Sequence, residues 1–363
     1  MIEGAFVVLG TIVIVRAGGE SSAAAAGRSE AQMLTLLHEP LACVEVLGRS
    51  VLQHAVERFR AAGVGAISVL IEQAPWLPTQ VGCFPPTVDV QIVSDVDLAV
   101  AAALKVYAEN GIEHVFVVQP NAHIEADLIG MFQFHRETRQ PATRAFDREG
   151  ALDLWMVNAA AAQTVSAEFL LPSLAPPSPS FYPVKEYVRR LSHPRHLRRL
   201  VEDSLRGLCQ MRPSGREIRP GVWIDQGAQI HKRARLVAPA YVGCNSRILE
   251  DTLITRFSNI ERNCYIDYGT VIEDSSILAN SHVGIWLDVC HSVVQGNRLF
   301  NLGRDTMLEI SDPSVIRRNG HAARESKMLS STLFAPWASA VDFSASGVTR
   351  VDKKEHSPAQ SAG

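Results

Sequence analysis

Apolar residues in the first half of the chain come in short, mostly β-branched runs, separated by stretches with helical spacing. Ala5–Val15, Cys43–Leu47, Ala66–Ile71 and Val115–Val118 read as strands buried on both faces. Val51, Leu52, Ala55, Val56 and Phe59 predict a helix that ends at Gly63. A second helix follows Ser94, runs through Ala101–Tyr107 and stops at Gly111. Asp95 and Asp97 lie in its first turn, where carboxylates complement the helix dipole. Leu128, Ile129, Met131, Phe132 and Phe134 predict a third helix. This alternation predicts an α/β sandwich with a mostly parallel sheet over residues 1–171.

The pattern then breaks. Residues 172–183 carry five prolines, which neither a helix nor a central strand accommodates. Residues 172–216 are therefore read as a linker followed by a basic amphipathic helix. Leu197, Leu200, Val201, Leu205 and Leu208 form one apolar stripe along Arg195–Cys209. Ten Lys/Arg against four Asp/Glu in residues 185–219 leave its other side to face solvent or an anionic ligand such as phosphate.

From Ile218 the period changes to six. Ile218, Ile224, Ile230, Leu236, Val242, Ile248, Ile254, Ile260, Ile266, Ile272 and Leu278 recur without a miss. A small residue follows four positions after each aliphatic residue from Ile224 to Ile272: Ala228, Ala234, Ala240, Ser246, Thr252, Ser258, Cys264, Thr270 and Ser276. Period six fits a three-sided coil whose aliphatic residues point inward and whose small residues turn the corners. The pattern resembles the hexapeptide-repeat, left-handed parallel β-helix family, which places this unit at residues 217–302. The phase slips where Gly284 takes the next inward position, so the coil is expected to loosen or be capped over His282–Leu302. Residues 303–363 are expected to be irregular and largely disordered, with Leu329–Trp337 as their one apolar patch.

Composition narrows the classes further. The 363 residues are 47% hydrophobic and 20% charged with a net charge of −3, which excludes a wholly disordered chain and offers no basic footprint for nucleic acid. The six cysteines include no CxxC pair, and are expected to be reduced thiols in a cytoplasmic protein. The apolar run Ala5–Val15 is too short to span a membrane, so no membrane partner is expected.

Three stretches of the N-terminal half resemble the sugar-1-phosphate nucleotidyltransferases (sugar-nucleotide pyrophosphorylases). Ala17-Gly18-Gly19 stands where that family has its Gly-rich nucleotide-binding loop. Glu39-Pro40-Leu41 with Val46-Leu47-Gly48-Arg49-Ser50 matches the family's Lys-Pro-Leu approach to the following helix. Val117–Leu128 with Phe134-His135-Arg136 matches the stretch carrying the family's metal-binding Gly-Asp. The resemblance implies a nucleotidyltransferase-like α/β sandwich joined to a left-handed parallel β-helix. It also implies Mg²⁺-dependent formation of a nucleotide-sugar from a nucleoside triphosphate and a sugar phosphate.

The catalytic positions depart from the family. The loop continues Glu20-Ser21-Ser22, without the family's third glycine and arginine; Glu39 replaces a lysine; and Pro120-Asn121 stands at the Gly-Asp metal position. The Glu-Lys-Pro sugar motif has no counterpart between Arg139 and Leu171. The expectation is a weakened or non-catalytic transferase homologue in nucleotide-sugar biosynthesis, acting as a regulatory or assembly subunit. It would be homo-oligomeric through the β-helix or paired with an active paralogous subunit. Activity, if retained, would need a rearranged metal site drawn from Asp95, Asp97, Asp147 and Asp153. The alternative is a hexapeptide acyltransferase with its base on the coil, for which His231, His282 and His291 are the candidates. No His/Cys/Asp cluster has metal-ligand spacing along the chain.

Overall fold

The computed structural model describes residues 8–16, 33, 36–37, 39–73, 84–162 and 180–319. The α/β unit is built on β1 (Leu9–Val15), α1 (Val51–Ala61), β2 (Ala66–Glu72), β3 (Val88–Val93), α2 (Val96–Glu109) and β4 (His114–Val118). It continues with β5 (Ala122–Ile124), α3 (Leu128–Thr138), β6 (Ala142–Asp147), β7 (Gly150–Asn158), α4 (Ala159–Ala162), β8 (Ser180–Pro183) and β9 (Val188–Arg190). The main sheet has seven strands in the order β8-β6-β7-β4-β1-β2-β3. β3, β2, β1 and β4 are mutually parallel, whereas β7 runs antiparallel to both β4 and β6.

Alternation along β1 sets the layers. Val13 and Val15 pack with Leu52, Val56 and Phe59 of α1 and Met131 of α3, while Ile12 and Ile14 pack with Val100 and Leu104 of α2 on the other face. The helix starts follow the sequence signals: Ser50 and Gln53 form a reciprocal capping box on α1, and Asp95 caps α2 by accepting from the Leu98 amide.

Two expectations for this unit are corrected. Cys43–Leu47 is not a sheet strand. It is a 3-10 turn (Leu41–Cys43) followed by a two-residue hairpin, Glu45–Val46 against Arg49–Ser50. The left-handed backbone at Leu47 (φ +56°) and Gly48 (φ +89°) reverses the chain there. The Pro-rich linker, moreover, does not leave the sheet: its last residues form β8, a parallel edge strand beside β6, where a proline costs no ladder bond. β9 then pairs antiparallel with β5.

α5 spans Pro194–Leu205 and joins the two units. Of the expected stripe, Leu197, Leu200 and Val201 are buried with Val44, Val46 and Leu47 of the hairpin and with Tyr241, Leu278, Val293 and Phe300 of the second unit, whereas the helix ends at Leu205, and Leu208 beyond it is exposed. Its basic side is not uniformly solvated. Arg198 is buried and donates to the carbonyls of Phe257 and Arg256 and to the Asp274 carboxylate, at 3.0, 3.0 and 2.8 Å.

The second unit is a coil with three parallel faces. One face takes Val222–Ile224, Ala240–Val242, Asn259–Ile260, Ser276–Ile277 and Ser292–Gln295. The second takes Gln229–Ile230, Arg247–Ile248, Tyr265–Ile266 and Ser281–Val283, and the third Arg235–Leu236, Leu253–Thr255, Val271–Glu273 and Asp288–Cys290. Val242, Ile248, Ile254, Ile260, Ile266 and Ile272 fill the interior as the period requires. Asn245, Asn263 and Asn280 adopt left-handed backbone at one corner, and the Asn263 amide donates to that of Asn280 at 3.2 Å.

The phase slip comes earlier than the sequence placed it. Val242 neighbours Ile260, 18 residues on, but Ile260 neighbours Ile277, only 17 residues on. The turn at Asp274-Ser275 is therefore one residue short, so Ile277, Val283, Val289 and Val294 point inward. Leu278 is rotated outward into the contact with the α/β unit. Gly284 marks instead a close approach, where its amide donates to the Val315 carbonyl and a Cβ would collide with the Ser314 carbonyl. At the other end Ile218 is not an inward residue: Arg216–Arg219 folds back antiparallel to Val222–Ile224 and leaves Ile218 exposed.

Residues 303–319 are ordered, contrary to expectation. Thr306–Glu309 pairs with Arg298–Asn301, and Ile316–Arg318 pairs antiparallel with Ser281–Val283, closing the second face. Ala17–Gly19, Cys83, Leu329–Trp337 and the rest of the tail lie outside the described residues.

Candidate functional site

Parallel strands present their C-terminal edge to ligands, and Asn121 with the four aspartates singled out from the sequence lies along that edge, each in its own local contact. Arg16, directly after β1, meets Asp97 of α2 at 2.6 Å. Asn121, after β4, donates its amide to Asp153 of β7 at 3.2 Å, and the second oxygen of Asp153 accepts from Arg144 of β6 at 3.1 Å. Arg190 of β9 meets Asp147 at 2.6 Å. Burial pushes the Asp147 carboxyl up, but the Arg190 hydrogen bond and charge outweigh it and hold it below the ordinary range. Asp95 is engaged as the α2 cap.

This donor set does not fit a divalent magnesium ion. Mg²⁺ is anchored by carboxylate oxygens whose charge is free to offset its own. Here the position expected to supply that carboxylate is a neutral amide, and Asp97, Asp147 and Asp153 are each matched by an arginine.

Glu39 lies at the contact between the two units, where Gln295 donates to it at 3.2 Å, and burial lifts its carboxyl to about 7. The same contact buries Glu261, which accepts from the Leu47 and Gly48 amides at 2.8 and 2.9 Å and from Asn259 at 2.6 Å. Burial and then the neighbouring Glu45 push Glu261 to about 7. Glu45 itself pairs with Arg262 at 2.7 Å. His135 is structural: it is buried against Thr143, at 2.8 Å, and burial lowers it to about 4.

The acyltransferase candidates sit apart, on different faces and corners of the coil. His231 is part-exposed near Glu250, at 3.8 Å. His291 meets Asp274 at 2.5 Å at the corner clamped by Arg198. His282 is buried between Tyr265 and the closing strand, with Arg317 as its register partner. Burial, with Arg317, lowers its pKa, so the ring is held neutral but sheltered by its own chain.

The structure also assembles a group that spacing along the chain does not reveal. His123 on β5 and Glu125 just beyond it point to one side, as alternate residues of an extended segment do. Cys209, beyond α5, reaches the same point. The imidazole, carboxylate and thiol donor atoms lie within 4.8 Å of one another, and all three residues are buried. His123 Nε2 and Glu125 Oε1 are 2.9 Å apart, the Gln210 amide donates to Glu125 at 2.5 Å, and Ser204 Oγ lies 3.2 Å from the sulfur. Beside the group opens a cleft of about 320 Å³ lined by Arg58, Glu125, Glu186 and Gln210. The His-x-Glu pair in a strand is the one local signal that could have pointed to it.

Among the described residues no helix is long and apolar enough to cross a membrane. No protein-family model and no curated protein matches the chain.

Proposed function

We propose that the chain is a member of the sugar-1-phosphate nucleotidyltransferase class that has given up the transfer reaction. In this reading a nucleotidyltransferase-like α/β sandwich rides on a left-handed parallel β-helix. It serves as a regulatory or assembly subunit, homo-oligomeric or beside an active relative, and keeps at most a nucleotide or nucleotide-sugar contact. The three motif stretches and the six-residue repeat support the class. One observation carries the loss of chemistry: Asn121, at the metal position, is bonded to Asp153, whose remaining oxygen is held by Arg144. Nucleotidyl transfer builds charge on phosphoryl oxygens that a cation must offset, and an amide tied to a neutralised carboxylate does not anchor that cation.

The test is pyrophosphate release with Mg²⁺, for each nucleoside triphosphate against a set of sugar-1-phosphates, beside an active pyrophosphorylase. Silence across the panel is the expected result, and turnover in any pair overturns the reading. The acyltransferase alternative draws no support from His282, which Ile316–Arg318 covers.

A further inference from the structure

We propose that His123, Glu125 and Cys209 form a site for a first-row divalent ion of the zinc type, with an exchangeable fourth position toward the adjacent cleft. The donor set is the first argument. Imidazole nitrogen, carboxylate oxygen and thiolate sulfur together match the borderline character of Zn²⁺ or Co²⁺ and not the all-oxygen preference of Mg²⁺ or Ca²⁺. The second argument is convergence from distant parts of the chain. β5 supplies the first two donors, and the turn after α5 brings Cys209 to within 4.8 Å of them, all three side chains being buried.

The surroundings hold the donors in place. The Gln210 amide fixes one Glu125 oxygen, the Ser204 hydroxyl meets the sulfur, and Tyr187 packs on the His123 ring at 6.1 Å between centroids. Such supporting contacts orient metal ligands. Burial raises the Cys209 thiol, so the metal-free site keeps its proton and an ion must displace it. Binding releases that proton from sulfur, and the metal takes the place of the His123–Glu125 hydrogen bond on Nε2, leaving the imidazole neutral with its proton on Nδ1. His123 and Glu125 open from 2.9 Å to the roughly 3.4 Å that bonds of about 2.1 Å in a tetrahedron require, a small adjustment.

Three protein ligands leave one position open. The cleft of about 320 Å³ begins at Glu125 and is lined by Arg58, whose guanidinium donates to Ala126 and to Gln210 at 3.2 Å each. A water molecule or a small anion is the chemistry that this position and that arginine accept.

The experiment uses the full chain, stripped with a chelator and titrated with Co²⁺. One equivalent is expected to produce a near-ultraviolet thiolate-to-cobalt charge-transfer band that Zn²⁺ displaces. Cys209→Ser removes the band, Cys290→Ser leaves it, and His123→Gln weakens binding by at least about 10–100-fold. Azide is expected to shift the visible cobalt bands, and their indifference to it overturns the open position. X-ray absorption of the zinc-loaded native chain needs no variant, and its expected shell is one sulfur among nitrogen and oxygen. Failure to bind Co²⁺, a band that survives Cys209→Ser, or a sulfur-free shell overturns the site and leaves a hydrogen-bonded core cluster.

Discussion

Replacing Glu261 with glutamine isolates what holds the two units together. Glu261 is fully buried, and its oxygens accept the two amides of the Leu47-Gly48 turn as well as Asn259. Those bonds favour the charged form, but burial and the nearby Glu45 carboxylate win, and the group titrates near 7 in the folded protein against 4.5 in a free chain. Below about 4.5 both states carry the proton. Between the two values only the folded state does, so stability falls as pH rises, and above about 7 it levels off. A gap of that size amounts to about 3 kcal/mol.

Glutamine resembles the protonated side chain and does not titrate. Its amide loses the Gly48 bond, a cost of about 1–3 kcal/mol, but that cost is the same at every pH. The decisive quantity is therefore the stability of Glu261→Gln relative to the parent at about pH 8, minus the same difference at about pH 5. It should favour the variant by about 2–3 kcal/mol, since part of the gap is already lost at pH 5, read from urea unfolding followed by circular dichroism. Glu39, also lifted to about 7, keeps part of the slope in both proteins. Parallel stability–pH curves for the two proteins would refute the assignment of a buried, protonated Glu261.

Other perturbations test the same contact from different sides. Arg198→Met removes the cation that ties α5 to the corner carbonyls of Arg256 and Phe257, and should cost about 3–5 kcal/mol in chemical unfolding, with no loss if the helix is only apposed to the coil. Gly48→Ala introduces a Cβ against the Ser214 and Tyr241 hydroxyls at a φ of +89°, and should cost more than the roughly 1–2 kcal/mol of left-handed backbone alone, read as a lowered thermal midpoint. A change within experimental error would mean that the hairpin does not seat on the coil as described.

The layers of the α/β unit and the interior of the coil were legible because each rests on a period. β-branched runs, the Ser50 and Asp95 caps and six-residue spacing report what a side chain meets within its own element. Leu278 shows where that logic fails: it keeps the period in sequence, yet a turn one residue short at Asp274-Ser275 gives the inward place to Ile277. Nothing in the spacing of apolar residues signals a deletion when two adjacent positions, Ile277 and Leu278, are both aliphatic. The strand at Cys43–Leu47 failed for the opposite reason. Its residues are apolar because they face the coil, not because they enter a sheet.

The candidate sites were legible only as residue types. Asn121 could be read as a poor metal anchor from its chemistry alone, but that Arg144 neutralises Asp153 depends on strand pairing between β6 and β7. The His123, Glu125 and Cys209 group depends on more distant convergence, since 85 residues separate Glu125 from Gln210, the neighbour of Cys209 that fixes it. The same tertiary contact accounts for Glu39. Read along the chain it stands where the resemblance expects a lysine, and in the fold it is a half-buried carboxylate beside the buried Glu45 and Glu261 where the α/β unit meets the coil. Glu39 thus works at the junction between the units, where Gln295 of the coil donates to it and burial lifts its carboxyl as it lifts that of Glu261.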